Sequence, residues 1–157
     1  MRSARQPQRN SLSAMLLAGL LLFMPLAGPA EDHDPIAERQ RLMSETREAL
    51  KPLIGMSRGQ LDFDRDTVQT SLAVFAHTAD ESRDLYPDGT QSGGDTEAKA
   101  TIWSDRAGFD QALTDFSEAV AAAQQADPQT AEAFQPVLRS VLGTCRACHD
   151  GYRIDKD

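Results

Sequence analysis

The sequence predicts an all-α fold, an antiparallel up-down-up-down four-helix bundle, on three observations. Helix-start signals recur four times after residue 31, and apolar side chains repeat at helical spacing within the segments they open. No persuasive strand-like alternation lies between them. Two short connections and one longer one join the four segments, as antiparallel neighbours require.

Residues 1–30 stand apart from this pattern. Arg2, Arg5 and Arg9 form a basic start, Met15 to Ala27 an apolar run, and Gly28-Pro29-Ala30 a small-residue end, the composition of a secretory signal peptide. The run is short for a membrane span, which needs about 20 apolar residues, so an uncleaved anchor is the weaker reading. Cleavage near Glu31 leaves a single domain over 31–157, 127 residues long and able to bury a real core. It also removes three arginines and no acids, leaving 13 basic and 24 acidic side chains and a formal charge of −11. Such acidity argues against a nucleic-acid partner and for solubility or a partner with a basic surface.

Asp34-Pro35 opens the first helix, a capping residue followed by proline at the first helical position. Ile36, Met43 and Leu50 repeat at seven-residue spacing and Leu53 and Ile54 close the stripe, so the helix is expected over 35–57, loosened near Pro52 and left through Gly55 and Gly59. The second should run from about Asp64 to Leu85 with Val68, Leu72, Phe75 and Ala79 buried. Tyr86-Pro87-Asp88-Gly89-Thr90 then marks a turn, and the polar stretch to Thr96 reads as a long flexible connection. Phe109, Leu113, Phe116, Val120 and Ala123 form the seam of the third helix, which Ser104 can cap. Just ahead of it, Trp103 either covers the end of the core or leans on a cofactor, and its indole N–H needs a partner. Asp127-Pro128 is expected to open the fourth helix, bent at Pro136. Its stripe of Phe134, Leu138, Val141, Cys145, Cys148 and Tyr152 puts two cysteines on the core face.

Those cysteines belong to Cys145-Arg146-Ala147-Cys148-His149. A C-x-x-C-H run in an exported chain reads as covalent attachment of one c-type haem, with two thioethers to one porphyrin edge and the next imidazole on iron. A redox disulfide would want a βαβ setting, and a zinc site about four ligands; this chain has two Cys and three His in all. The bundle is therefore expected to enclose haem c, with Cys145 and Cys148 binding it and His149 as a metal ligand. Arg146 should face outward.

The same residues resemble a family. The C-terminal attachment motif with Arg153 four residues after His149, Ile102-Trp103-Ser104-Asp105 before a helix, Gly93-Gly94 upstream and Arg39-Gln40 on the first helix are similar to the cytochrome c prime family, the class II cytochromes c. The likeness spans essentially all of 31–157. It implies a periplasmic haem-binding four-helix bundle, and a basic residue at Arg153 beside the proximal face of the haem, where the other reading is a solvated arginine favouring the helix dipole. Family members often form dimers through the first two helices, so the resemblance leaves a homodimer open, although no feature of this sequence requires it.

The sixth iron position is then a question of level. In an antiparallel bundle the start of the first helix lies beside the end of the last. Met43 is about 12 Å into the first helix and His149 about 8 Å from the end of the fourth, whereas Met56 lies about 20 Å further along. His77 reaches the same level on a mixed face and reads mainly as a rim histidine; His33 precedes the helices and reads as solvated. A methionine on an apolar stripe is ordinarily core, but Arg39 and Gln40 one turn earlier are unsuited to a dry core and suited to haem propionates. The resemblance places Met43 at the residue facing the distal side, a ligand in the low-spin branch and a pocket-blocking residue in the high-spin branch.

Ligation separates the functions. A His149/Met43 pair makes a one-electron carrier, the reading favoured by the Tyr86-Pro87-Asp88 segment, which looks like the low-spin branch. The alternative is a five-coordinate, high-spin protein that binds nitric oxide or carbon monoxide at the distal face. No catalytic acid/base constellation suggests an enzyme. The expected partners are redox proteins with basic docking surfaces, with no membrane association once the signal is cleaved.

Overall fold

The computed structural model of the chain describes residues 34–155. The expected signal peptide and His33 lie outside them. Five helices occupy the described residues: α1 (Pro35–Ser57), α2 (Arg65–Glu81), α3 (Thr101–Ser104), α4 (Arg106–Ala126) and α5 (Ala131–Tyr152), with one 3-10 turn at Ser82–Asp84. The four long ones form the bundle, and among the described residues the extended pairing is one isolated bridge, Ala98 to Arg153.

Capping explains where most of these helices start. The Asp34 carboxylate accepts from Ile36 N at 2.9 Å with Pro35 following, and Asp64 accepts from Thr67 N at 2.7 Å. Both agree with the sequence reading. The last two starts do not. Asp105, not Ser104, caps α4 by accepting from Gly108 N, because Ser104 is still inside the short α3. Thr130, not Asp127-Pro128, caps α5, accepting from Ala133 N at 3.3 Å. Asp127 instead ends α4 in the left-handed region, φ 39°, and turns its carboxylate to Arg65 and Gln69 at the start of α2. Aspartate serves either role, since its short side chain tolerates that conformation and bonds locally. Both interior prolines are accommodated within continuous helices.

Hydrogen bonds between helices give the directions. Gln135 near the start of α5 donates to Ser57 O at the end of α1, Thr46 and Thr78 pair midway along α1 and late in α2, and Tyr152 at the end of α5 reaches Asp105 at the start of α4. Each pair joins opposite chain directions, as up-down-up-down topology demands. Gly55, expected at the helix exit, is buried within α1; a Cβ there would stand 2.8 Å from Leu61 Cδ1, so its bareness seats the returning chain. Gly59, φ 68°, makes the exit turn.

The expected stripes are the buried ones, but the core they build is divided. Leu53, Met56, Val68, Leu72, Phe75, Val120, Ala123, Phe134, Leu138 and Val141 cluster at one end of the bundle. Ile102, Phe109 and Leu113 form a second cluster at the other, flanked by Tyr86, Trp103, Cys148 and Tyr152. The α4 seam, continuous in sequence, thus serves two cores.

Candidate functional site

At the second end, the bundle holds a cavity of about 560 Å³, within the range of cofactor clefts. α1 contributes Ile36, Arg39, Gln40, Met43 and Arg47, residues three or four apart on one face. α5 contributes Cys148, His149 and Tyr152 with Arg153 beyond them, and Phe109 and Leu113 come from α4. A smaller apolar chamber of about 70 Å³ adjoins, sharing Met43, Ser82, Leu113, Cys148 and His149 and adding Cys145, Thr46, Thr78, Phe116 and Thr144. Met43, Cys145, Cys148 and His149 therefore meet in one place, as the level argument expects.

His149 is half-buried. Burial, reinforced by the Arg153 guanidinium, holds its imidazole below the ordinary value, with Asp150, Glu97 and Asp155 opposing, and the neutral ring is the metal-ligating form. Burial, with Cys148 adding to it, pushes the Cys145 thiol up to about 11, and burial raises Cys148 too. Before haem attachment both thiols are thus half-buried and held toward the protonated form, unlike surface nucleophiles. Arg146 is exposed, as expected, and pairs with Asp150 at 3.6 Å.

Four carbonyls at the end of a helix lack partners within it. In α5 each finds one: His149 O accepts from Arg153 N, Asp150 O from Lys99 Nζ, Gly151 O from Thr101 Oγ1 and Tyr152 O from Lys99 N. Ile154 N adds a bond to Glu97 O at 2.7 Å. The connection expected to be merely flexible thus ends in a segment that clamps the turn carrying His149, and its Asp95, Thr96, Glu97 and Ala98 line the cavity.

Arg39 tests whether the cavity suits a haem. Only 6 % exposed, it donates through Nε to Pro35 O and through Nη2 to Thr90 O, each at 3.1 Å, and lies 4.5 Å over the Tyr86 ring. Its Nη1 is buried without a hydrogen-bond partner among the described residues. Burial lowers its pKa, while Tyr86 and Asp34 oppose that shift, and a guanidinium remains charged at any ordinary pH. An unsatisfied charged donor in a cavity wall calls for an anionic acceptor, and a haem propionate supplies one. Gln40 is exposed at the rim; Arg153 is exposed too, with Glu97 at 3.8 Å and Asp155 at 3.3 Å. Trp103 packs edge-on to Tyr86, and its indole N–H donates to Pro87 O at 3.2 Å. Burial pushes the Tyr86 phenol up to about 12, against the pull of Arg39.

His77 is exposed and lines neither chamber, in keeping with a rim histidine. Among the described residues no group of three or more His, Cys, Asp or Glu assembles as for a bare metal ion. No described helix is long and apolar enough to cross a membrane. Arg47 and the 95–98 segment are site residues that sequence reasoning missed. Arg47 was detectable, standing four residues beyond Met43 and eight beyond Arg39 on the same face. The loop carried no such signal.

A helical bundle that presents two cysteines and an adjacent histidine to a cofactor-sized cavity, beside an unsatisfied arginine, defines a c-type haem protein. The family model for cytochrome c' matches residues 34–153. The cytochrome c' of Rhodopseudomonas palustris is 37% identical over 123 residues, covering 78% of this chain and 84% of that protein. Cytochrome c-556 of the same organism is 26% identical over 150 residues, 93% of this chain and 99% of that protein. A solved structure of the Rhodopseudomonas palustris cytochrome c' superposes with a TM-score of 0.76 at 35% identity, over 80% of this chain and 99% of that one. This chain belongs to the cytochrome c' family, whose haem c is covalently attached.

Proposed function

We propose that this chain binds a small neutral gas, nitric oxide or carbon monoxide, at a haem anchored through Cys145 and Cys148 and ligated by His149 alone. Met43, which lines the same two chambers as His149, would wall the gas-binding space without ligating. The domain is 31–157, working in the periplasm once residues 1–30 are removed. What supports this reading is the match of the cytochrome c' family model to residues 34–153 together with 37% identity to the cytochrome c' of Rhodopseudomonas palustris.

It replaces the His149/Met43 electron carrier expected from Tyr86-Pro87-Asp88. Tyr86 lies beneath Arg39 and 4.7 Å from Phe109, centroid to centroid, and Pro87 O accepts the Trp103 indole. That segment is thus accounted for by packing at the cavity rim, a role independent of what Met43 does at the iron.

Bound haem supplies a metal centre that changes oxidation state by one electron and offers an axial position to a diatomic molecule. The chain's own residues do the rest. The Arg39 Nη1 would donate to a propionate, with Gln40 and Arg153 lining the same cavity. Met43, Leu113 and Phe116 contribute an apolar wall to the inner chamber. Thr46 and Thr78 satisfy one another there at 2.8 Å, so their hydroxyls do not draw water into an apolar space. Such a wall favours an uncharged ligand over an anion. The formal charge of −11 on 31–157 also suits a redox partner with a basic surface, an association that should weaken with salt.

Visible and near-infrared spectra of the ferric holoprotein decide the matter. A high-spin spectrum unchanged in Met43→Ala, with carbon monoxide binding on reduction, is expected. A low-spin spectrum with a sulfur-to-iron charge-transfer band, lost in Met43→Ala, would restore the carrier. Nitric oxide is the next gas to try, since a structural neighbour, a mutant cytochrome c prime of Alcaligenes xylosoxidans, has been solved as its nitric oxide complex (TM-score 0.67, 23% identity).

A further inference from the structure

Tyr152 ends α5 three residues after His149, on the same side of the helix. Its ring lines the cavity and meets Phe109 edge-on at 5.3 Å. Its hydroxyl crosses to α4 and donates to Asp105 Oδ2 at 2.9 Å, while Asp105 Oδ1 accepts from Gly108 N at 3.2 Å. One carboxylate therefore caps α4 and grips the end of α5. The crossing has room only because residue 108 is glycine: a Cβ there would stand 2.2 Å from Asp105 Oδ2 and 2.5 Å from the Tyr152 hydroxyl. Those separations are inside any van der Waals contact, so the side-chain-free position is built around this bond. The Asp150, Gly151 and Tyr152 carbonyls of the same turn are already held by Lys99 and Thr101, which leaves the Tyr152 side chain to set how that turn stands against α4.

We propose that Tyr152, latched to Asp105 over Gly108, is a positioning residue for His149 and through it tunes the reduction potential of the haem. The inference rests on His149 as the iron ligand and is independent of what Met43 does. Because the bond joins a phenol to a carboxylate, it is stronger than a neutral one, and its loss frees the last turn of α5 to shift against α4.

The test uses the haem-loaded protein and Tyr152→Phe, Asp105→Asn and the double variant. Tyr152→Phe keeps the ring on Phe109, and asparagine remains a good helix cap, so all three should fold. Tyr152→Phe is expected to change the ferrous-to-ferric ratio at a fixed poise by about threefold or more, the scale of one hydrogen bond's net worth, and to shift the iron–histidine stretching frequency of the ferrous protein. Asp105→Asn removes the charge but leaves the phenol an amide partner, so it should shift the ratio less than Tyr152→Phe does, and adding Tyr152→Phe to it should shift the ratio by less than the sum of the two single changes. Unmoved potentials with a lowered melting temperature, or effects that simply add in the double variant, would overturn the latch as a positioning device. If His149→Ala retains the parent spectrum, the ligand assignment fails and the inference with it.

Discussion

Thr46 and Thr78 tie α1 to α2 beside the inner chamber, through one hydrogen bond of 2.8 Å with Thr78 only 1% exposed. Thr78→Val keeps the shape of the side chain and removes its hydroxyl, leaving the half-buried Thr46 hydroxyl without that partner. The cost is the lost bond together with the desolvation of the orphan, about 1–3 kcal/mol for a fully buried group and toward the lower end here. Removing both hydroxyls takes away the orphan as well, so Thr46→Val/Thr78→Val should lie within about 0.5 kcal/mol of the parent. The coupling is then about 1–2 kcal/mol in favour of the double variant, readable in urea unfolding of the holoprotein or as about 3–8 °C recovered in melting temperature. A double variant as unstable as the sum of the singles would refute the reasoning, because the two hydroxyls would then have partners other than each other. Both singles should also slow carbon monoxide binding by admitting water to the chamber, and the double should not.

Phe134, 2% exposed and packed against Phe63 at 5.9 Å, should cost about 3–5 kcal/mol as Phe134→Ala, measured by denaturant unfolding, with the haem spectrum of the folded fraction unchanged. Gly55→Ala places a Cβ against Leu61, whose side chain is half exposed and free to swing away; with the gain of about 0.5–1 kcal/mol from removing a helical glycine, thermal melting should show a net change near zero. Asp127 has a carboxyl pKa held below its ordinary value, chiefly by its bond with Arg65. A depressed acid stabilises above its unfolded pKa and loses that contribution as pH falls through the folded value, so Asp127→Asn should flatten the acid limb of a stability-versus-pH curve below about pH 4. Removal of the Asp127 side chain in Asp127→Gly should cost less than in Asp127→Ala, since φ 39° suits glycine.

Much of this architecture was legible because helical periodicity and burial are the same fact seen twice. Val68, Leu72, Phe75 and Ala79 are buried as their spacing requires, and α1 spans Pro35–Ser57, the extent its capping residue and stripe suggested. The errors fell where one residue type serves two geometries. Asp127 beside Pro128 carries the composition of a helix start, yet its left-handed backbone closes the preceding helix. The site divided in the same way. Cys145, Cys148 and His149 announce themselves by spacing, and Met43 by level along the bundle. The 95–98 wall depends on where a loop returns, and the two glycines that steer it past Ile36, at φ 116° and 52°, encode freedom rather than direction. The Tyr152 grip on Asp105 lay beyond sequence reasoning too, since it joins residues 47 apart through one glycine's missing atom.

The division of the core has a consequence for how this chain can change over evolutionary time. Ten buried residues interlock in the larger cluster, which Cys145 touches at its margin, against three in the cluster beside Cys148. Stability and chemistry are therefore only partly separable. Substitutions at positions such as Phe134, far along α5 from the cysteines, trade packing energy with little reach to the cavity, whereas Leu113 lines it and Phe109, 2% exposed, ties its shape to the packing of Tyr86 and Tyr152. A scaffold divided in this way lets much of one end remain constant while the other varies the surroundings of the haem.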